Sequence, residues 1–314
     1  MSFEQTEWVW MNGRVVRWQE ATLHVSSHAL HYGSGVFEGI RCYETDDGPA
    51  LFRLDAHLDR LYASADSYGM PIPYAQDEMA EAICEVIDRN GFTGCYVRPI
   101  VYYGSSSLGV HPRHCSVEVA ILTWPWAAYL GEESLERGVR VKVSPITKFH
   151  SRMMPTTAKA CGGYINSMLA VREAMAAGYD EALLLDERGN VAEGSGENLF
   201  VVRNGGLLTN DEESSILLGV TRDAVIQIAR DLGYKVEVGV IRLDDLYAAD
   251  EAFFTGTAAE VTPIRELNDT VIGDGTRGPV TEAIQRRFFD AVLGREARYR
   301  DWLHLVATSA PLSV

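Results

Sequence analysis

The chain has 314 residues, more than one hydrophobic core usually holds, and this length predicts two domains. Hydrophobic residues make up 46% of the chain and charged residues 23%, which is typical of a globular enzyme. The formal charge of −16 excludes nucleic acid and anionic membrane surfaces as expected partners, because both require clustered cations.

No apolar run approaches the roughly 18 residues that a membrane-spanning helix needs, and the acidic residues 1–7 are not expected to be a signal peptide. His28 and His31 could face one metal, but without a third ligand they predict core or capping roles and no metal site. Scattered cysteines without a C-x-x-C pair predict a reduced, cytoplasmic protein without structural zinc. These cysteines are Cys42, Cys84, Cys95, Cys115 and Cys161.

The first part of the chain, residues 1–125, predicts a small mixed α+β domain. It opens with a hairpin signal, in which Asn12-Gly13 separates two apolar strands. Periodicity then predicts strands at 36–43, 95–103 and 116–123, and helices at 54–68 and 77–91, the second of them capped by Asp77.

The aromatic run that starts at Trp124-Pro125-Trp126 predicts an interdomain loop over residues 126–137. It fits either a hinge that walls a cleft between the domains or a packed crossover. The remaining residues, 138–314, predict a larger, strand-rich domain. Its predicted strands are 139–144, 182–186, 198–202, 235–241 and 251–255, and its predicted helices are 164–177, 221–232 and 279–293.

Lys159 is the only charged residue between Arg152 and Arg172, and most of its neighbours are small. Desolvation in such surroundings lowers the pKa of a lysine from about 10.4 and leaves a neutral nucleophile that can form a Schiff base. The segment fits equally well a lysine at a helix start whose amine reaches water.

Two acidic residues, Glu193 and Glu197, flank Gly194-Ser195-Gly196 at the start of a predicted strand. They fit a solvated loop, or a site where one carboxylate faces inward and keeps a pyridine nitrogen protonated. Glu193 is the candidate for that role.

Two glycine turns could bind anions through backbone amides. Gly219 lies before the predicted helix cap Thr221, where a phosphate gains about 0.3–1 kcal/mol per charge from the helix dipole. Gly256-Thr257 forms a similar turn after a strand. Each also fits an ordinary glycine turn, but together they indicate a phosphate and a carboxylate that are held largely without lysines.

The run of residues 273–278 satisfies G-x-G-x-x-G, yet its context does not fit a dinucleotide site. Only a short apolar stretch precedes it, Asp274 would oppose a pyrophosphate, and too little chain follows to complete a nucleotide-binding fold. A nicotinamide oxidoreductase remains the alternative from a different class of enzyme.

Taken in order, the motifs resemble those of the branched-chain aminotransferases, pyridoxal-phosphate enzymes of fold type IV, over nearly the whole chain. The resemblance implies an α+β fold of two domains, like D-amino-acid aminotransferase, with the active site in the cleft between them and the cofactor bound by residues 138–314. The motifs are 28–33 (HALHYG), 37–41 (FEGIR), 96–99 (YVRP), 109–112 (GVHP), 157–159 (TAK), 193–200 (EGSGENLF), 219–222 (GVTR) and 255–260 (TGTAAE).

The resemblance implies pyridoxal 5′-phosphate as the cofactor, with pyridoxamine phosphate in the aminated half of the cycle. Lys159 would bind it covalently and move the α-proton, Glu193 would pair with the pyridine nitrogen, and Tyr164 with the phenolic oxygen. Further implied cofactor contacts are Arg60, Asn198, Leu217, Gly219, Val220, Thr221, Gly256 and Thr257. Implied substrate contacts are Tyr32, Phe37, Arg41, Tyr96, Arg98, Leu108, Val110, Trp126, Tyr129, Thr257 and Ala258.

The implied reaction is reversible transamination between leucine, isoleucine or valine and 2-oxoglutarate, with Arg98 taking the distal carboxylate of glutamate. Tyr32, Leu108 and Val110 would come from a neighbouring subunit, which implies a homodimer at minimum or a hexamer built from dimers. Alternatives within the fold are a D-amino-acid or (R)-amine transaminase and aminodeoxychorismate lyase. Leu218 and Gly163 depart from the family, which often has proline and asparagine there.

Overall fold

The computed structural model describes residues 5–126, 131 and 133–307, and these form two compact units. The first unit comprises Met1–Trp126, Ala158–Gly162 and Asp290–Val314, and the second comprises Ala127–Thr157 and Gly163–Phe289. The domain division predicted from the sequence, at 1–125, 126–137 and 138–314, stays a prediction. Within the predicted loop, residues 127–130 and 132 lie outside the described residues.

The first unit contains an antiparallel sheet whose order is β17-β5-β4-β6-β7-β1-β2, with β3 also paired to β6. Its opening hairpin is confirmed, because Asn12 and Gly13 both take positive φ, 49° and 88°, as a tight two-residue turn requires. The strands are β1 (Trp8–Met11), β2 (Arg14–Arg17), β3 (Gly35–Phe37), β4 (Ile40–Thr45), β5 (Gly48–Phe52), β6 (Cys95–Tyr103) and β7 (Val117–Trp124). The C-terminal strand Leu303–Leu305 is numbered β17, because strands β8 to β16 of the second unit precede it in the chain.

Among the described residues, three α-helices lie wholly within this unit: α1 (His28–Tyr32), α2 (Leu54–Ser67) and α3 (Gln76–Arg89). The apolar positions of α2 and α3 recur every three or four residues, and they enter one core with the inner face of the sheet. The helix predicted to begin at Asp77 begins instead at Gln76, with Ala75 as its N-cap and the Glu78 carboxylate accepting the Ala75 N–H at 2.7 Å.

The strand predicted over residues 36–43 is interrupted at Glu38-Gly39, between β3 and β4. Opposite the interruption lies Pro99 of β6, whose carbonyl accepts the Glu38 N–H at 2.9 Å. Since proline has no N–H to continue the ladder, the strand pairing breaks at this point.

The second unit contains a mixed sheet of order β10-β9-β8-β15-β14-β11-β12-β13, with β16 paired to β15. The parallel pairs β8–β9 and β12–β13 are joined through helices, as parallel strands require. The strands are β8 (Val139–Val143), β9 (Glu181–Leu185), β10 (Val191–Gly194), β11 (Asn198–Arg203), β12 (Gly206–Asn210), β13 (Val236–Gly239), β14 (Glu251–Gly256), β15 (Glu260–Leu267) and β16 (Thr270–Val271). The helices are α4 (Ser134–Arg137), α5 (Tyr164–Ala176), α6 (Val220–Asp231), α7 (Leu243–Tyr247) and α8 (Pro279–Val292), the last ending in the first unit. Short 3₁₀ helices lie at Trp18–Glu20, Cys161–Gly163, Glu212–Ser214 and Ala297–Trp302.

None of the helices in the described part of the chain combines the length and the apolar composition that crossing a lipid bilayer demands. The same residues hold no group of three or more His, Cys, Asp or Glu side chains arranged around a possible metal ion.

Candidate active site

Lys159 lies in the first unit, on a short irregular segment beside β3. Its carbonyl accepts the Phe37 N–H at 3.0 Å, and its own N–H donates to the hydroxyl of Ser64 on α2 at 3.0 Å. The next residue, Ala160, bridges to Val36. The backbone is thus fixed on two sides, and the small buried side chains of Ala158 and Ala160 permit this close approach.

The Lys159 amine lies 4.9 Å from the centre of the Phe37 ring. Desolvation, helped by the Arg60 guanidinium and opposed by the Glu38 carboxylate, lowers the pKa of this amine to about 8. The side chain as a whole keeps intermediate exposure, so a ligand can reach it. This geometry favours the nucleophile interpretation over an amine in bulk water.

We expect the rate at which Lys159 reacts with an aldehyde, such as the pyridoxal phosphate that the sequence implies, to follow the titration of its amine. Only the neutral amine attacks an aldehyde, so the rate should rise about tenfold per pH unit and level off near the lowered pKa of about 8. The effect on folding stability is opposite to that of an ion pair, because here the charged form of Lys159 destabilises the fold. The cost of burying the charged amine is present below pH 8 and disappears as the pH rises towards the ordinary value of 10.5.

Stopped-flow absorbance of the apoenzyme mixed with pyridoxal phosphate measures this profile. A simple alkylamine is the control, because its rate should keep rising past pH 10. A protein profile that also climbs past pH 10 would contradict a desolvated Lys159.

Arg98 of β6 is surrounded by aromatic rings. Its guanidinium carbon lies 4.7 Å from the ring centre of Phe37, 5.3 Å from that of Tyr96 and 5.5 Å from that of Trp124. The rings of Tyr96 and Trp126 are themselves 4.7 Å apart. The structure therefore brings the predicted substrate residues Phe37, Tyr96, Arg98 and Trp126 together, and Trp124 adds a ring that was not predicted.

Arg41 of β4 pairs directly with Tyr96, and alternation along β6 places Arg98 on the same face of the sheet. Its Nη2 donates to the Trp126 carbonyl at 3.4 Å. Arg41 Nη1 and Arg98 Nε are buried and make no hydrogen bond within the described part of the chain. Leaving such donors without an acceptor costs about 1–3 kcal/mol each, and a ligand carboxylate would remove that cost.

Gly39 is a residue that sequence reasoning missed as part of this wall. A Cβ at Gly39 would lie 1.9 Å from the Tyr96 hydroxyl oxygen, so only glycine lets the Tyr96 ring take its place. Its presence in the FEGIR motif was the available signal.

The three residues predicted to form an intersubunit loop cluster on the surface of the first unit. The Tyr32 hydroxyl donates to the Leu108 carbonyl at 2.7 Å. Leu108 is 59% exposed and Val110 80% exposed, although both are apolar. Beneath them, the buried His28 ring contacts the Gly109 and Val110 carbonyls at 3.1 and 3.2 Å and anchors the loop.

In the second unit, the carboxylate of Glu193 is buried among hydrogen-bond donors. Lys148 Nζ lies 2.6 Å from Oε1, and the Leu217 N–H and Asn198 Nδ2 donate to Oε2 at 3.0 and 3.2 Å. Glu197 is buried as well, but its Oε2 accepts the Gly196 N–H at 3.0 Å within the loop. Lys148 was missed from the sequence, because nothing local in the run around it points to Glu193.

Helix α6 begins at Val220, and its N-cap is Gly219 rather than the predicted Thr221. A Cβ at Gly219 would lie 2.1 Å from Asn198 Oδ1, so glycine is required where Asn198 packs against the helix start. The Val220 and Thr221 amides lie in the first helical turn, which leaves them without intrahelical acceptors and suits an anion.

The other predicted residues of this unit lie at element ends. Gly256 closes β14, Thr257 and Ala258 form the partly exposed turn before β15, and Tyr164 is the half-buried first residue of α5. Gly163, which stands where the family often has asparagine, packs on Phe149. A Cβ at Gly163 would lie 3.1 Å from the Phe149 ring. Arg60 belongs to the first unit, on α2, whereas Tyr129 lies outside the described residues.

The glycine-rich run at 273–278 has a packing role. A Cβ at Gly273 would lie 2.0 Å from the Asp250 carbonyl oxygen, and one at Gly278 would lie 2.1 Å from Glu251 Cδ. The Glu251 carboxylate caps α8 by accepting the N–H groups of Val280 and Thr281 at 2.9 and 2.7 Å. The helix end that a pyrophosphate would need is therefore occupied by a carboxylate.

Comparison with known proteins identifies the class. Residues 35–267 match the family model of amino-transferase class IV, and the chain belongs to this family. It is 48% identical over 298 residues to the branched-chain-amino-acid aminotransferase of Pseudomonas aeruginosa, covering 95% of this chain and 97% of the relative. The enzyme of that name from Escherichia coli K12 is 44% identical over 307 residues, covering 98% and 99%.

Two solved structures are similar throughout. The Escherichia coli branched-chain amino acid aminotransferase has a TM-score of 0.95 and 44% identity, covering 96% of this chain and 100% of that one. The enzyme from Thermobaculum terrenum, solved in its PLP-form, has a TM-score of 0.90 and 36% identity, covering 96% and 99%. The predicted α+β, fold type IV class is confirmed.

Class IV aminotransferases use pyridoxal 5′-phosphate, and this chain is a pyridoxal-phosphate enzyme. Its residues fit the group. Within the first unit, the desolvated amine of Lys159 suits the aldehyde of the group. Within the second unit, the buried carboxylate of Glu193 suits a ring nitrogen, and the start of α6 at Gly219 suits a phosphate.

Proposed function

We propose that this protein is a branched-chain-amino-acid aminotransferase, which exchanges the amino group between leucine, isoleucine or valine and 2-oxoglutarate. The observation that carries the proposal is the position of Arg98 among the rings of Phe37, Tyr96 and Trp124. An apolar side chain can pack against these rings, and the carboxylate of glutamate can bind the guanidinium. The strong likeness to the two named relatives supports the same assignment.

When bound, pyridoxal phosphate supplies an aldehyde that exchanges the amino group and a protonated ring nitrogen that withdraws electrons from Cα. Lys159 would hold the cofactor and carry the proton between Cα and C4′, since its neutral amine is basic enough to accept it. Glu193 would keep the ring nitrogen protonated, and Tyr164 would hydrogen-bond the phenolic oxygen. Arg60, Val220, Thr221 and Thr257 would bind the phosphate, with Asn198, Leu217, Gly219 and Gly256 completing the cofactor contacts.

A panel of half-reactions tests the proposal. The holoenzyme should absorb in the visible and bleach on mixing with L-leucine, L-isoleucine or L-valine, and 2-oxoglutarate should restore the absorbance. Bleaching only by D-amino acids or by (R)-amines would replace the proposal by the corresponding transaminase of the same fold. Conversion of aminodeoxychorismate without amino exchange would identify a lyase instead.

Arg98→Ala should slow the half-reaction with 2-oxoglutarate by about 10- to 100-fold, because a charge-assisted hydrogen bond is lost. The leucine half-reaction needs no distal cation and should change far less. Arg98→Met keeps the stem that packs against the rings and should show the same split, which single-turnover absorbance measures. Equal losses in both half-reactions would remove this role from Arg98.

We further propose that the enzyme is a cytoplasmic homodimer at minimum, with small-molecule substrates as its other partners. The exposed apolar side chains of Leu108 and Val110, held on a loop anchored by His28, support a subunit contact at this surface. All five cysteines are free thiols, which supports a reducing compartment. Analytical ultracentrifugation tests the assembly, and a monomer that keeps full activity would contradict it.

A further inference from the structure

Glu38 is a fully buried carboxylate at the interruption between β3 and β4. Four donors point at its two oxygens. His57 Nδ1 lies 2.7 Å from Oε2, Arg60 Nε lies 2.6 Å from Oε1, and Arg60 Nη2 and the Gly39 N–H lie 2.9 and 3.1 Å from Oε2. The contact with Arg60 is therefore bidentate.

Helix α2 presents these partners on one face. His57, Arg60 and Ser64 are three and four residues apart, which aligns them along the helix. The first two contact Glu38, while the Ser64 hydroxyl accepts the Lys159 N–H at 3.0 Å. One helix face thus fixes both the backbone of Lys159 and, through Glu38, the guanidinium of Arg60.

The charges of this cluster are defined. Burial by itself would raise the pKa of the Glu38 carboxyl, but Arg60 and His57 outweigh it and hold that pKa below its ordinary range. Desolvation lowers the pKa of His57, so the neutral imidazole donates from Nδ1 to Glu38. A buried ion pair adds little net stability over apolar residues of the same size, so its value here lies in orientation.

We propose that Glu38, held by His57, is the positioning residue that orients Arg60 for the phosphate group of the cofactor. The inference rests on the proposed function, which assigns that phosphate to Arg60. The two bonds to Glu38 use Nε and Nη2 and fix the plane of the guanidinium, so little rotamer entropy is lost when the phosphate binds.

The test compares two probes that differ only in the phosphate. Apoenzyme is titrated with pyridoxal phosphate and with pyridoxal, and binding is followed by absorbance. Glu38→Gln keeps the size of the side chain but removes its charge. It should weaken pyridoxal phosphate binding about tenfold or more, while pyridoxal binding changes less than about twofold. His57→Asn, whose amide nitrogen replaces Nδ1, should keep most of the preference for the phosphate, and His57→Leu should lose part of it.

Glu251→Gln is the matched control, because Glu251 is also a buried carboxylate with several donors but caps α8 in the second unit. It should leave the ratio of the two affinities unchanged. Equal weakening of both probes in Glu38→Gln would overturn the positioning role, since a general loss of structure does not select for phosphate. If Glu38→Gln does not fold, the His57 pair provides the same readout.

The Arg60→Ala variant distinguishes failure of the positioning role of Glu38 from failure of the proposed contact between Arg60 and the phosphate. If Arg60→Ala loses the preference for phosphate and both Glu38→Gln and His57→Leu keep it, only the positioning role is overturned. If Arg60→Ala keeps the preference, the proposed contact between Arg60 and the phosphate is wrong, and the positioning role falls with it.

Discussion

Replacing Lys159 by alanine is expected to lower kcat for transamination by about 10⁴-fold or more, because the nucleophile and the proton carrier are the same amine. Lys159 is the only charged residue between Arg152 and Arg172, so no neighbouring lysine in the sequence can take over its role. The variant should bind pyridoxal phosphate without a covalent bond, so its visible spectrum should differ from that of the wild type.

Steady-state assays with L-leucine and 2-oxoglutarate, combined with absorbance spectra, measure both effects. Lys142→Ala is a suitable control, because Lys142 forms a half-exposed ion pair with Glu173 at 2.7 Å and should be nearly silent. Wild-type turnover in Lys159→Ala would refute the assigned chemistry as a whole.

Replacing Glu193 by glutamine is expected to lower kcat by about 10²- to 10³-fold while cofactor binding persists, since a neutral amide does not keep the ring nitrogen protonated. A second effect arises within the second unit. Lys148, 2.6 Å from Glu193 Oε1, would be left as a buried charge without its partner. Such a change costs about 3–5 kcal/mol of unfolding free energy.

A double variant separates the two effects. Lys148→Met in the Glu193→Gln background removes the unpaired charge, so the free energy of unfolding should recover while kcat stays low. Denaturant unfolding of the apoenzymes and single-turnover kinetics of the holoenzymes provide the two measurements. Recovery of kcat together with stability would indicate that Glu193 matters only for the fold.

The residues that matter in these experiments are not equally visible in the sequence. Lys159 could be selected from its small neighbours, and the helix start after Gly219 from its pattern, because both signals are local. Lys148 and Glu38 could not, since each meets its partner only after distant segments pack together. Gly39 is similar, because the Tyr96 hydroxyl on a neighbouring strand leaves no room for a side chain at this position.

Among the elements, the Asn12-Gly13 hairpin and the strand Cys95–Tyr103 follow directly from turn chemistry and alternation. Strand β15 has no clear signal in the sequence, because a proline argues against a strand and yet Pro263 pairs opposite Phe253 in the sheet. The order of strands in either sheet has no local signature at all.

By itself, the sequence determined the class of enzyme and supplied Lys159, Glu193 and the two glycine turns as candidates for its site, because short motifs carry their own backbone and chemical requirements. Only the tertiary structure decided which charged side chains contact each other and which contact aromatic rings. It paired Lys148 with Glu193, set Arg98 among three rings and held Arg60 against Glu38. The reason is physical: charge pairing and desolvation depend on distances across the fold, and those distances arise only when remote strands and helices pack.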